Sequence, residues 1–209
     1  MEQVLNTLQQ GGTVMIFLVL SSIIAVAIII EKFITLRRRK VIVPEIVSVI
    51  ENLKTPADID LALSICQNNQ GVFSNIAMIG LKNTYLPREE LRELFEDQGR
   101  QEVRSLERGI GVLETIAAIS PLLGLLGTVI GMYKAFGVIS TEGITQSQEL
   151  AGYISYALIT TVVGLAIGIP TLVFYNYFTN KAENLVLDIE KYSNDLVMKI
   201  SSFNNTYKS

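Results

Sequence analysis

Apolar and polar positions follow two patterns along this chain. Three stretches contain no Asp, Glu, Lys or Arg: 3–30, bounded by Glu2 and Glu31; 115–133, bounded by Glu114 and Lys134; and 150–180, bounded by Glu149 and Lys181. Each reaches the ~20 residues that a membrane-crossing helix needs. They predict spans over 14–30, 110–139 and 152–178. Elsewhere apolar residues recur at helical spacing: Ile46, Val49, Ile50 and Leu53; then Ile76, Ile79 and Gly80; then Leu91, Leu94, Phe95, Val103, Leu106 and Ile110; and finally Leu185, Ile189, Tyr192, Leu196 and Ile200. No proline lies between Pro87 and Pro121, so the third set predicts one unbroken helix that enters the membrane near Gly109 and becomes the second span. The last set carries the third span past Lys181.

Local signals refine the ends. Thr55 followed by Pro56 reads as an N-cap with proline at the first helical position. Residues 68–71 read as a turn. At 1–12, Val4, Leu5 and Leu8 share a helical face, which predicts a short periplasmic interfacial helix stopped by Gly11 and Gly12, the alternative being an unstructured end. The predicted class is an all-α integral membrane protein. It has three transmembrane helices, the second and third extended into a cytoplasmic helical bundle. The whole, 1–209, is one domain with cytoplasmic helices over 40–108 and a helical tail over 179–209.

Charge sets the expected orientation. Twelve of the 17 Lys and Arg residues fall within 32–108, and four follow residue 180. Basic segments stay in the cytoplasm, so 32–110 and the tail are assigned there and the amino terminus outside. The basic cluster Arg37–Lys40 follows the first apolar run and Glu2 precedes it, the layout of an uncleaved anchor rather than a signal peptide.

Composition removes several chemistries. There is no histidine, and Cys66 is the only cysteine. A Ser-His-Asp triad, a Cys-His pair and a Cys/His zinc site are excluded, and Cys66 reads as a small buried residue. The chain is read as no enzyme, with no cofactor or metal. Basic residues without aromatic platforms give no nucleic-acid surface. The lipid membrane is the first predicted partner.

Small residues concentrate where packing demands them. Gly124, Gly127, Thr128, Gly131 and Ala135 share one face of the second span; Ala157, Thr161, Gly164 and Gly168 share one face of the third. Such faces let membrane helices approach closely. At 1.5 Å per residue, Thr128 and Thr161 both lie about 12–14 Å from the outer ends of their spans, near mid-bilayer. Two readings follow. The hydroxyls line a path, or each bonds the carbonyl four residues back in its own helix. Neither 115–133 nor 150–180 holds a titratable acid or base, so an ion path would take its carboxylate from a partner. Tyr153 and Tyr156 fit an outer interfacial belt, Tyr175 and Tyr177 an inner one, and Lys134 snorkels.

The segments "PLLGLLGTVIGMYKAF" (121–136) and "ALITTVVGLAIGIPTLVFYNYF" (157–178), with "GGTVMIFLVLSSIIAVAIIIEKF" (11–33) before them, resemble the ExbB/TolQ/MotA family of ion-channel subunits, nearest to its ExbB/TolQ branch. The resemblance implies a homopentamer in the bacterial inner membrane around a pair of single-span ExbD/TolR-like partners, each supplying a transmembrane aspartate. It implies that the proton motive force drives the partner, that a TonB/TolA-like protein receives the motion, and that envelope transport or maintenance is energised. The family's pore threonines fall on Thr128 and Thr161, with Thr160 and Tyr156 as further ion-path candidates; Gly124, Gly127, Gly131, Gly164, Gly168 and Pro170 are the packing candidates. Many ExbB/TolQ chains carry glutamate where Tyr156 stands, so sodium remains the alternative to the proton. The competing functions are a sodium-driven stator and a non-conducting scaffold. A stand-alone solute transporter lacks an inverted repeat and a charged midplane group.

Overall fold

The computed structural model describes residues 12–69, 71–142 and 147–206, and every element among them is helical. In chain order these are α1 (Gly12–Thr35), α2 (Arg38–Val41), α3 (Pro44–Asn52), α4 (Asp58–Asn68), α5 (Val72–Lys82), α6 (Arg88–Glu107), α7 (Ile110–Glu142) and α8 (Ser147–Thr206). Three of the helices are long and apolar enough to cross a membrane, which gives the all-α membrane class expected from the sequence. The predicted interfacial helix at 1–12 lies, but for Gly12, outside the described residues. The chain divides into two compact units: Met1–Ile30 with Gly109–Tyr177, and Glu31–Arg108 with Phe178–Ser209.

In the first unit α1 lays Val14, Met15 and Leu18 against Leu123 and Ile130 of α7 and Ile159, Val163 and Ile167 of α8. These are large side chains at helical spacing, and they occupy one side of the α7–α8 pair. The remaining circumference stays apolar and outward: Leu20 is 54% exposed, Leu125 56% and Leu158 61%. In water that surface would be costly; in a bilayer it is solvated by lipid.

The second unit is built from amphipathic helices. Phe73, Ile76, Ala77 and Leu81 of α5, Leu91, Phe95 and Leu106 of α6, and Leu185, Ile189, Leu196 and Ile200 of α8 are buried. Phe73 packs on Tyr192 with ring centroids 5.7 Å apart, and Phe33 meets Phe178 edge-on at 5.1 Å. Gly80 gives room for the Phe95 ring, which a Cβ there would overlap. Lysines cap helix ends: Lys199 Nζ donates to the carbonyls of Ile50 and Glu51 at the end of α3.

Two local expectations change. The helix predicted to run unbroken from Pro87 into the membrane is interrupted at Arg108 and Gly109, where Gly109 takes φ +90°. Glycine alone enters that left-handed region without strain. The break leaves the Leu106 carbonyl without its helical donor, and the buried Lys32 ammonium donates to it at 3.0 Å. Helical spacing continues on both sides of such a break, so periodicity does not reveal it. Second, α4 starts at Asp58, not beside Thr55. The capping bonds run the other way: Asp58 Oδ2 accepts from the Lys54 and Thr55 N–H groups and the Thr55 hydroxyl, which holds the Asp58 carboxyl below its usual range.

Cys66 is buried, and burial pushes its thiol up to about 11. Between pH 9, where an exposed thiol ionises, and pH 11, the unfolded chain releases this proton and the folded chain keeps it; this group therefore withdraws stability as pH rises through that window. At pH 8 the folded protein holds about a hundredfold less thiolate than an ordinary cysteine, since each tenfold follows one pKa unit. A maleimide is expected to label Cys66 at least that much more slowly in mild detergent than in denaturant. Equal rates would show the site to be open.

Candidate functional site

The small-residue faces of α7 and α8 meet in an antiparallel register. A Cβ on Gly164 would stand 2.6 Å from the Ser120 carbonyl oxygen and 3.0 Å from Gly124 Cα. One on Gly124 would stand 2.9 Å from the Thr160 carbonyl oxygen. Gly131 faces Ala157 at 2.8 Å, and Gly168 faces the Pro121 ring at 2.8 Å. Gly127 faces the Thr160 side chain so closely that a Cβ would overlap it. At Gly124 and Gly164 the nearest facing atoms are backbone, at Gly127, Gly131 and Gly168 they are side chains, and the closeness accounts for glycines in apolar helices where alanine would otherwise be about 1 kcal/mol better.

The same register brings three threonines together. The Thr128 and Thr161 hydroxyls are hydrogen-bonded to each other across the helix pair. Thr128 Oγ1 also lies 3.3 Å from the Gly124 carbonyl and 3.4 Å from the Ala157 carbonyl; Thr161 Oγ1 lies 3.2 Å from the Gly124 carbonyl. Thr160 is fully buried and donates to the Ala157 carbonyl at 2.9 Å. Thr128 thus reaches the carbonyl four residues back in its own helix as well as a neighbour across the interface, whereas Thr161 reaches across the interface to the Gly124 carbonyl. The Gly124 carbonyl is the shared acceptor, within 3.5 Å of Thr128, Thr160 and Thr161. That backbone group has no signature in the sequence, because a carbonyl is common to every residue and only the register selects this one.

Position on the helices separates the candidates. At 100° per residue, Thr128 lies about 150° round α7 from Leu123 and Ile130, and Thr161 about 160° round α8 from Ile159 and Val163. Both half-buried threonines thus sit on the side of the pair turned away from α1. Tyr156 is placed elsewhere. Its ring comes within 3.0 Å of a Cβ built on Gly131 and its hydroxyl within 3.3 Å of one built on Gly12, at the start of α1. Pro170 is exposed on α8; the proline inside the α7–α8 contact is Pro121. Lys134 is exposed, its ammonium 5.9 Å from the centre of the Tyr153 ring.

Chemically, each hydroxyl supplies one donor and two lone pairs. With the Gly124 and Ala157 carbonyls beside them, Thr128 and Thr161 form a small set of neutral oxygens in otherwise apolar surroundings. Such a set can ligate a monovalent cation or hydrogen-bond a carboxyl group, and it cannot release a proton of its own at neutral pH. No group of three or more His, Cys, Asp or Glu residues suited to a metal occurs among the described residues.

A helical membrane protein with two tightly paired spans and a hydroxyl-lined face defines the class. Residues 68–191 match the family model described as the MotA/TolQ/ExbB proton channel family, and the chain belongs to that family. A putative biopolymer transport protein ExbB homolog of Methanothermobacter thermautotrophicus is 30% identical over 90% of this chain and 67% of its own length. A putative biopolymer transport protein ExbB-like 3 of Synechocystis is 32% identical over 80% of this chain and 81% of its own. Biopolymer transport protein ExbB of Aquifex aeolicus is 30% identical over 54% of this chain and 75% of its own. The chain is thus a membrane-embedded member of the ExbB branch of a proton-channel family.

Proposed function

We propose that this chain is the pore-forming subunit of an inner-membrane proton channel that converts the proton motive force into motion of a single-span partner. The observation that carries this reading is the Thr128–Thr161 hydroxyl pair on the side of α7–α8 turned away from α1. It is a polar spot on an apolar face, at the depth where an ion in transit meets its highest barrier. Neither 115–133 nor 150–180 contains a carboxylate, so the moving proton is held by an aspartate in the partner's helix. Copies of this chain form a homopentamer, turning their threonine faces inward around a dimer of ExbD/TolR-like partners. The amino terminus lies outside and the basic helices inside. A TonB/TolA-like protein takes up the motion for envelope transport or maintenance. Sodium fits the same neutral oxygens when the partner carboxylate neutralises it.

The test is the composition of the native complex. The chain is extracted in mild detergent, its complex weighed intact by mass spectrometry, and the accompanying proteins sequenced. A five-to-two complex with a single-span protein bearing an aspartate in its apolar helix is the expected result. A ring of this chain alone, with no such protein in any preparation, would replace the channel with a scaffold.

A further inference from the structure

We infer that Glu114 is an electrostatic mouth at the inner end of the ion path, a carboxylate that gathers the translocated monovalent cation before or after it passes the threonines. The inference rests on the proposed channel function and adds a residue to it. Glu114 marks the edge of a charge-free stretch, and its place on the helix gives it more than a boundary role. At 100° per residue, Glu114, Ala118, Leu125, Thr128 and Met132 fall within an ~80° sector of α7. Glu114, Ala118, Leu125 and Met132 are exposed and Thr128 is half-exposed, so a stripe runs from the carboxylate to the threonine past Pro121, whose ring is half-buried against Gly168 in the same sector. The buried neighbours Leu113 and Ile116 point about 100° and 160° away from Glu114 round α7.

Depth agrees. Fourteen residues of helix separate Glu114 from Thr128, about 21 Å. With Thr128 near the middle of an apolar core of ~30 Å, Glu114 stands just beyond its inner edge, in the headgroup layer. On antiparallel α8, Asn176 lies fifteen residues from Thr161, about 22 Å, and is also exposed, which puts a neutral polar side chain at the same level. Glu114 takes part in no ion pair and no side-chain hydrogen bond among the described residues. Other charges leave this stripe clear: Lys134 is rotated about 200° from Glu114 round α7, and Lys181 about 200° from Thr161 round α8. An unpaired carboxylate facing the path repeats once per copy in a ring. Rings of acidic side chains raise the local concentration of cations at a pore entrance.

The experiment uses the complete complex of this chain with its partner, reconstituted in liposomes. Flux of protons is read with a pH dye, flux of sodium with a sodium dye, and ionic strength is set with choline chloride. For whichever cation the wild type carries, Glu114→Gln is expected to lower initial flux about tenfold at ~0.01 M salt and by less than twofold at ~1 M, since added salt shrinks the reach of a charge from ~30 Å to ~3 Å. Glu114→Asp should retain most of the flux, and Glu114→Lys should fall below Glu114→Gln. Unchanged flux in Glu114→Gln at low salt, or a deficit equal at both salt concentrations, overturns the inference. A wild-type complex that carries neither ion overturns the channel reading itself, a distinct result.

Discussion

Thr161→Val is expected to leave the protein assembled and to reduce ion flux through its complex by about a hundredfold. Valine matches threonine in shape and keeps the α7–α8 contact filled. What goes is one hydroxyl, bonded to Thr128 and directed at the Gly124 carbonyl. Thr128 retains acceptors in the Gly124 and Ala157 carbonyls, so no buried donor is stranded and the stability change stays within about 1 kcal/mol. On the proposed function, the path loses a ligand to a charge. A hydrogen bond to a charged group is worth up to about 3 kcal/mol, and that loss at the barrier is two orders of magnitude in rate. Thr161→Ser restores the hydroxyl and should restore most of the flux. The measurements are dye-reported flux in liposomes and, in parallel, elution of the intact complex. If Thr128→Val/Thr161→Val together conduct as the wild type does, the hydroxyl pair is packing alone and the scaffold reading gains.

Gly164→Leu is expected to prevent α7 and α8 from pairing. The first carbon of any side chain there would stand 2.6 Å from a backbone oxygen, and a backbone cannot turn aside as a flexible side chain can. Alanine at this site should cost about 1–3 kcal/mol through overpacking, and leucine more than that. Gly137→Leu is the matched control: the same helix pair, with nothing within 4 Å of its Cβ position. Melting in detergent micelles should show Gly137→Leu near the wild type, Gly164→Ala several degrees lower and Gly164→Leu without a cooperative transition. Equal melting of the two leucine variants would mean that the close approach is not required.

The two predictions act on one surface through different physics, and this sorts the site residues. Glycine positions set how near the helices come; the threonines set what chemistry the resulting seam presents. Ser120 and Gly124 enter through their carbonyls, which only the near approach makes reachable. Tyr156 belongs with α1, beside Gly12 and Gly131, so its replacement is expected to disturb the seating of α1 before it disturbs the threonine seam.

The sequence by itself determined the helices, the spans and the faces. Charge-free runs of sufficient length fix membrane spans because a buried charge is expensive in hydrocarbon, and the periodicity of Gly124, Gly127 and Gly131 against that of Gly164 and Gly168 fixes which faces pack, because only small residues tolerate contact there. It also placed Thr128 and Thr161 at one depth. The tertiary structure decided what depends on residues far apart in the chain. The register that joins the two hydroxyls, the shared Gly124 carbonyl and the wedge of Pro121 against Gly168 arise from contacts between helices. So does the break at Arg108 and Gly109, where Lys32, 74 positions away, takes over a carbonyl that the helix gives up. Local propensity and periodicity report on neighbours within a turn or two; hydrogen bonds between distant segments are settled only when the chain has packed.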